Sequence, residues 1–165
     1  MADNIGQITI ENARIMFRNF AGREGQYNRE GDRNFVVLID DPEIEKQLKQ
    51  DGWNVKYLKP RDEDDIDQPY LQVSLRYGKA RNPRVGMINS RGLVDLGEDE
   101  VEILDWVDIK KVDMILNPYE WSVRGDSGIK AYLKTLMVTI EEDELELKYS
   151  DIPRIQANEH IEIED

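Results

Sequence analysis

Alternating apolar and polar residues occupy much of the chain and predict short β-strands. Residues 8–10 and 13–18 follow a period of two that is interrupted at Asn12, which predicts a long first strand with a bulge near that residue. Residues 34–39 form an apolar, β-branched run typical of a buried strand, which is expected to pair with the first. In residues 70–77 the odd-numbered side chains are predicted to face one way and the even-numbered ones the other. Further strands are predicted over 53–58, 85–88, 109–116 and 128–140.

A single helix is predicted within this β-pattern. Asp41 is a suitable cap and Pro42 a suitable first helical residue, so the helix should run from 42 to about 50. Residues 101–106 are predicted as a loop or a helical turn, and residues 117–127 as a loop with aromatic and basic side chains. Six or seven strands with one helix favour an all-β barrel or sandwich over a parallel α/β sheet.

The net charge of −13, from 35 acids and 22 bases among 165 residues, is concentrated in two segments. Residues 61–67 carry a net charge of −4 and residues 141–165 a net charge of −8, so the remaining residues together carry only −1. Bases are grouped within that remainder. Residues 71–94 contain five bases and no acid, and residues 14–33 contain five arginines and three acids. The acidic composition therefore conceals a nearly neutral body with basic stretches.

Basic and aromatic side chains are interleaved in three stretches of that body. Single-stranded nucleic acid is bound by this combination, because cations follow the phosphates and flat rings stack on bases of any sequence. Phe17 and Phe35 lie within predicted strands and are expected in the core, whereas for Tyr27 and Trp121 both core packing and base stacking remain open. The candidate residues of one DNA-binding groove are Arg14, Arg18, Phe20, Arg23, Tyr27, Arg29, Arg33, Arg76, Tyr77, Lys79, Arg81, Arg84, Tyr119, Trp121, Arg124, Lys130, Tyr132 and Lys134.

The residue types exclude several kinds of catalytic and metal site. The chain has no cysteine, which removes thiolate chemistry, cysteine zinc sites and disulfides. Its one histidine is His160. The acidic run 62–65 lacks the spacing of a calcium-binding EF-hand loop. We therefore expect no catalytic residue, no metal, no cofactor and no enzymatic activity. The longest stretch without charge, Gln68–Leu75, is far below the roughly 20 residues of a spanning helix, so a soluble protein of a reducing compartment is expected.

Three motifs resemble single-stranded DNA-binding proteins of tailed bacteriophages. They are residues 12–20 (NARIMFRNF), residues 52–56 (GWNVK), and residues 117–121 (NPYEW) followed by 128–133 (GIKAYL). The resemblance covers most of residues 6–140. It implies an OB-fold, a five-stranded, partly open barrel that binds single strands across one face, here with extra strands or hairpins.

The resemblance also implies an acidic C-terminal tail that contacts replication or recombination proteins and competes with DNA. We expect a binding domain over residues 1–150 and a flexible, disordered acidic tail over 151–165. Several related proteins end in an aromatic residue, whereas this chain ends in Ile163-Glu164-Asp165, so apolar anchors would have to be isoleucines. The candidate partner-binding residues are Glu159, Ile161, Glu162, Ile163, Glu164 and Asp165.

These observations predict a sequence-independent single-stranded DNA-binding protein of phage DNA replication or recombination, acting in the cytoplasm of the infected host. It would coat exposed strands without contacting a membrane, and a homodimer is left open. The alternative is an acidic DNA mimic that occupies the nucleic-acid site of a host protein, although a mimic should spread its acids over the folded surface. A metal-dependent nuclease would need converging carboxylates, which the sequence does not indicate.

Overall fold

The computed structural model describes residues 6–59, 67–78, 81–143, 145, 148–149 and 151–153. The candidate residue Lys79, most of the acidic run 61–67 and the predicted tail beyond 153 lie outside these residues. Its elements are β1 Ile8–Ile10, β2 Arg14–Asn19, β3 Arg33–Leu38, α1 Pro42–Asp51, β4 Lys56–Leu58, β5 Gln68–Leu75, β6 Arg84–Asn89, β7 Gly92–Leu96, a 3-10 helix Val101–Asp105, β8 Ile109–Val123 and β9 Asp126–Ile140.

The strands form one sheet in the order β1-β8-β9-β5-β3-β2, and its two ends approach each other as in a partly open barrel. β2 pairs with β3, β3 with β5, β9 with β8 and β8 with β1, all antiparallel, while β5 and β9 run parallel through Val73–Ala131 and Ser74–Tyr132. β1 leads into β2, and the Ala13 N–H donates to the Val112 carbonyl at 2.8 Å, which brings β8 against the start of β2. The fold is mostly β with one short helix, as predicted, and this order is consistent with a five-stranded OB-fold barrel.

The remaining strands extend the barrel. β4 pairs with the start of β5, β6 runs parallel to the end of β9, and β7 pairs with β6 as a hairpin. β7 was not predicted. In the part of the chain that is described, no helix is both long and apolar enough to cross a membrane.

Two backbone irregularities divide the first predicted strand. Asn12 has a φ of 51°, and its N–H donates to the Asp113 carboxylate at 2.9 Å, so the chain turns where the bulge was predicted. A second irregularity lies between Met16 and Asn19, where Phe17 also has a φ of 51°. The prediction that Phe17 is a core residue is wrong, since 63% of Phe17 is exposed. The bulge shifts the alternation that placed it inside.

That shift brings Phe20 into the core instead. Phe20 and Phe35 are fully buried and stack with ring centroids 5.2 Å apart. The prediction that Phe20 contacts DNA is therefore wrong, whereas the prediction that Phe35 is a core residue is confirmed. The 3-10 helix contributes Val101 and Leu104, both fully buried, to the same cluster.

The predicted helix is confirmed at both ends. Asp41 caps α1 by accepting the Glu43 N–H at 2.9 Å, and Gly52 ends it with a φ of 91°. After Gly52 the chain lies beside β9, where the Ile129 N–H donates to the Gly52 carbonyl at 3.1 Å and its carbonyl accepts from Asn54 at 3.0 Å. The strand predicted over 53–58 is consequently reduced to β4.

The predicted loop at 117–127 is a β-hairpin. β8 continues to Val123 and β9 begins at Asp126, so only Arg124 and Gly125 remain between them. Both have positive φ, 51° and 87°, as the tightest hairpin turns require. This hairpin arm, residues 117–131, carries the aromatic side chains of the predicted loop on paired strands.

Candidate nucleic-acid interface

A cleft of about 520 Å³ lies over β3, β5 and β9, between the segment 20–32 and the hairpin arm. It is a groove on the outside of the barrel, since the odd-numbered residues of β5 from Leu71 to Leu75 are buried in the core. The structure brings together seven of the predicted DNA-binding residues here. They are Tyr27, Arg33, Arg76, Tyr77, Trp121, Lys130 and Tyr132.

The floor of the cleft centres on Tyr132. The parallel register places Tyr132 beside Ser74, so β5 and β9 present their outward side chains together. The Tyr132 ring has the Arg76 guanidinium carbon 5.3 Å and the Lys130 Nζ 5.2 Å from its centroid. Tyr119, across the hairpin, meets Tyr132 edge-on at 5.5 Å. An aromatic ring flanked by two cations offers stacking and phosphate neutralisation in one place.

Trp121 forms one wall of the cleft, and a glycine determines its position. Trp121 is opposite Gly128 in the β8–β9 register. A Cβ at Gly128 would lie 2.9 to 3.1 Å from three atoms of the indole, closer than side chains tolerate. The missing side chain therefore lets the indole lie against the backbone of β9, half-buried beside the cleft.

The other wall is the segment 20–32, which carries Tyr27 with 93% of its area exposed. Asn28 fastens this segment, because its Nδ2 is within hydrogen-bond distance of three carbonyl oxygens and its Oδ1 accepts from Asn34 Nδ2 at 2.7 Å. Tyr27 is thus an exposed ring on a backbone held by its neighbour. The three carbonyl acceptors are those of Arg23 at 2.8 Å, Arg29 at 3.0 Å and Asp32 at 3.0 Å.

Arg33 and Tyr77 line the cleft next to each other. Arg33 donates to the Phe20 carbonyl, and its guanidinium carbon lies 5.9 Å from the Tyr77 ring centroid. Burial raises the pKa of Tyr77, an effect that Arg33 opposes, so this hydroxyl stays protonated at neutral pH. Arg33 therefore both lines the cleft and holds the backbone at Phe20, where the segment 20–32 begins.

Two predicted cations are directed elsewhere. Arg18 donates to the carbonyls of Leu104 and Val107 at 2.8 and 2.7 Å, which fastens β2 to the 3-10 helix. Arg23 donates to the Asp105 carboxylate at 3.2 Å, and its guanidinium lies over a tryptophan outside the cleft. Neither residue lines the cleft.

The remaining predicted residues also lie outside the cleft lining. Arg14 pairs with Asp40 at 2.6 Å, and Arg84 is 3.5 Å from Asp95. Lys134 donates to Gln7 Oε1 at 3.1 Å. Tyr119 reaches the site only through its contact with Tyr132. Arg29, Arg81 and Arg124 are exposed away from the lining.

Neutral polar residues complete the lining, and the prediction missed them. Gln72 and Ser74 follow from the alternation in 70–77, since they face away from the core residues of β5. Two acids, Asp32 and Glu98, also line the cleft. No sequence signal placed Glu98 here, because it comes from the turn before the 3-10 helix. The further missed residues are Asn28, Gly31, Asn34 and Asn54, together with Leu71, Leu75, Ile129 and Ala131, which belong to the core and also border the cleft.

Comparisons with known proteins identify the family and the fold. A family model for the phage ssDNA-binding domain matches residues 2–165. The chain belongs to this family. Its structure is similar to the single-stranded DNA-binding protein from bacteriophage Enc34 in complex with ssDNA, with a TM-score of 0.56 and 13% identity over 84% of this chain and 88% of that chain. A second Enc34 structure gives 0.55 and 13% over 88% and 89%. No curated protein sequence matches.

Membership of the phage ssDNA-binding domain family decides between classes of function. The family consists of binding domains rather than enzymes, so a nuclease is not supported. At 13% identity the Enc34 structures share the fold of this domain. Across the described residues, no group of three or more Asp, Glu or His side chains is placed to hold a metal ion.

Proposed function

We propose that this phage ssDNA-binding domain coats single-stranded DNA without sequence preference, through the cleft between Tyr27 and the hairpin arm. The observation that carries the proposal is the Tyr132 ring between Arg76 and Lys130 on the cleft floor. A base can stack on the ring while its neighbouring phosphates approach the two cations. Because every base has a flat face, such a site accepts any sequence.

The walls support the same function. Tyr27 and Trp121 present rings on opposite sides of the cleft. Asn28 holds the backbone that carries Tyr27, and the missing side chain of Gly128 gives the Trp121 indole its place against β9. A backbone or ring that is fixed in advance loses little conformational freedom on binding, so more of the stacking energy contributes to affinity. Binding should also weaken with salt, at a slope of about −0.7 per phosphate contact.

The lining offers little support for the acidic DNA mimic. Three basic side chains, Arg33, Arg76 and Lys130, line the cleft against two acidic ones, Asp32 and Glu98. A surface that imitates phosphates would carry more acidic than basic side chains. We therefore favour a cleft that receives phosphates.

We extend the proposal to the whole chain. Residues 1–150 would form the binding domain, and residues 151–165 an acidic tail that docks replication or recombination proteins in the infected host cell. A chain ending after Ile152 loses four acids and one base. It should bind single strands more tightly at low salt, with a difference that shrinks as salt screens the charges, if the tail competes for the cleft.

The decisive test is fluorescence anisotropy with a labelled oligo-dT at two salt concentrations, comparing Tyr132→Leu with Tyr57→Leu. Tyr57 is a matched control, since it is partly exposed with Lys49 Nζ 5.3 Å from its ring, but lies on β4 outside the cleft lining. We expect Tyr132→Leu to cost roughly 1–3 kcal/mol of binding free energy and Tyr57→Leu to cost none.

The same titrations can contradict the proposal in distinct ways. Equal losses in the two tyrosine variants would mean that the cleft has no special role. Equal affinity for duplex and single strands would contradict single-strand binding itself. A loss in Tyr132→Leu that accompanies a lower melting temperature would assign the ring to stability instead.

A further inference from the structure

The outer face of the 3-10 helix carries apolar side chains that the core does not use. Because this helix has three residues per turn, side chains at i and i+3 lie above one another. Val101 and Leu104 form the fully buried face, whereas Ile103 is 41% and Trp106 is 71% exposed. An exposed tryptophan aligned with an exposed isoleucine is a typical centre of a protein interface.

Trp106 is held in position by a chain of polar contacts. The Arg23 guanidinium lies 4.8 Å from the centroid of the indole and donates to the Asp105 carboxylate at 3.2 Å. Only 1% of the Asp105 side chain is exposed, and this carboxylate also accepts the N–H groups of Phe20 and Ala21 at 2.7 and 3.1 Å. The ring therefore rests on an arginine that is itself anchored to a buried acid.

β2, which carries the exposed Phe17, is attached to the 3-10 helix. The hydrogen bonds from Arg18 to the carbonyls of Leu104 and Val107 tie β2 to the 3-10 helix. The neighbouring Phe17 is 63% exposed, with a φ of 51° that bulky residues rarely adopt. Such strained positions concentrate at functional sites. Ile103 and Trp106 are called the docking patch below.

The charge around the docking patch indicates the occupant. Residues 97–108 contain six acids and no base. The side chain of Asp105 is buried and pairs with Arg23, and Glu98 lines the cleft, but the four acids Asp99, Glu100, Glu102 and Asp108 are exposed against the one cation of Arg23. Phosphates are repelled by such a segment, whereas a cationic protein surface is attracted. Apolar side chains at the centre and acids around them are complementary to a basic segment with an apolar face. We propose that the docking patch binds a basic, amphipathic segment of a partner protein, independently of the single-stranded DNA cleft.

The test uses the full chain and a peptide made only of leucine and lysine, with all leucines on one helix face. A scrambled peptide of the same composition is the control probe, and peptide affinity is measured by anisotropy. We expect Trp106→Ala to weaken binding by about tenfold or more. Glu102→Gln should weaken it less, and Glu43→Gln, an exposed acid on α1, should leave it unchanged.

Each other outcome overturns the proposal. Unchanged peptide affinity in Trp106→Ala would assign the binding to another acidic segment, and equal affinity for the scrambled peptide would show that charge alone is responsible. Oligo-dT affinity should be the same in Trp106→Ala as in the natural chain; a loss there would make the patch part of the DNA surface. A dimer that Trp106→Ala dissociates in sedimentation would make the occupant a second copy. Ile103→Ser, which changes the patch without removing the Arg23 contact, must reproduce the peptide result.

Discussion

A methyl group at Gly128 is predicted to disable the cleft wall without unfolding the barrel. In Gly128→Ala the new Cβ would lie 2.9 Å from Cζ2, 3.0 Å from Cε2 and 3.1 Å from Nε1 of Trp121. Ordinary contacts of this kind begin at 3.4 Å, so the indole must move by several tenths of an ångström or swing away. Backbone movement is resisted, because the two residues are paired within a long antiparallel ladder.

The effects on stability and on affinity should separate. Alanine in a strand interior is favoured over glycine by roughly 0.5–1 kcal/mol, which offsets part of the cost of displacing the ring. The free energy of unfolding should therefore change little. If Trp121 stacks on a base, its displacement should remove most of a stacking contact, about 1–3 kcal/mol of binding free energy.

A double-mutant cycle identifies the cause. Gly128→Ala, Trp121→Ala and the double variant are titrated with labelled oligo-dT, and their unfolding is followed in urea. If the methyl group acts only by moving the indole, it should have no further effect on affinity once the indole is absent. An additional loss in the double variant would refute this reasoning, as would a Gly128→Ala protein with full affinity.

Three further outcomes are expected. Asn28→Ala should lower oligo-dT affinity with little change in melting temperature, because it releases the backbone that carries Tyr27, and the loss should vanish in a Tyr27→Ala background. Asp105→Ala should destabilise the protein by roughly 1–3 kcal/mol in urea unfolding, since two partly buried N–H groups lose their acceptor. The hydrogen bond from Arg14 lowers the pKa of Asp40, so this exposed pair contributes at most about 1 kcal/mol to the free energy of unfolding at neutral pH. That contribution is lost as the pH falls through the lowered pKa, so the free energies of unfolding of Asp40→Asn and the natural chain should become equal in acid.

Local signals predicted the elements that depend on local chemistry. The cap at Asp41, the proline after it and the glycine at 52 determine α1 without reference to the rest of the chain. The alternation in 70–77 assigned the buried and outward faces of β5 correctly, and the outward face forms the cleft floor. These features could be predicted because each is determined within a few residues.

The exchange of Phe17 and Phe20 shows where alternation fails. A period of two predicts the buried face only while the strand keeps its register, and the irregularity between Met16 and Asn19 changes it. Both phenylalanines have the same propensity and similar polar neighbours. What distinguishes them is the contact of Phe20 with Phe35 and the hydrogen bond from its N–H to Asp105, 85 residues away.

The hairpin arm illustrates the same limit at the functional site. Residues 117–123 alternate weakly because this part of β8 extends past the barrel, where both faces meet solvent and no core selects apolar residues. The Arg124–Gly125 turn does not carry the usual asparagine or aspartate, so the local hairpin signal was also weak. Composition could indicate that aromatic and basic residues serve nucleic-acid binding. Only pairing across the sheet could show which of them share a cleft, because the contacts of Tyr132 with Arg76 and of Trp121 with Gly128 join different strands.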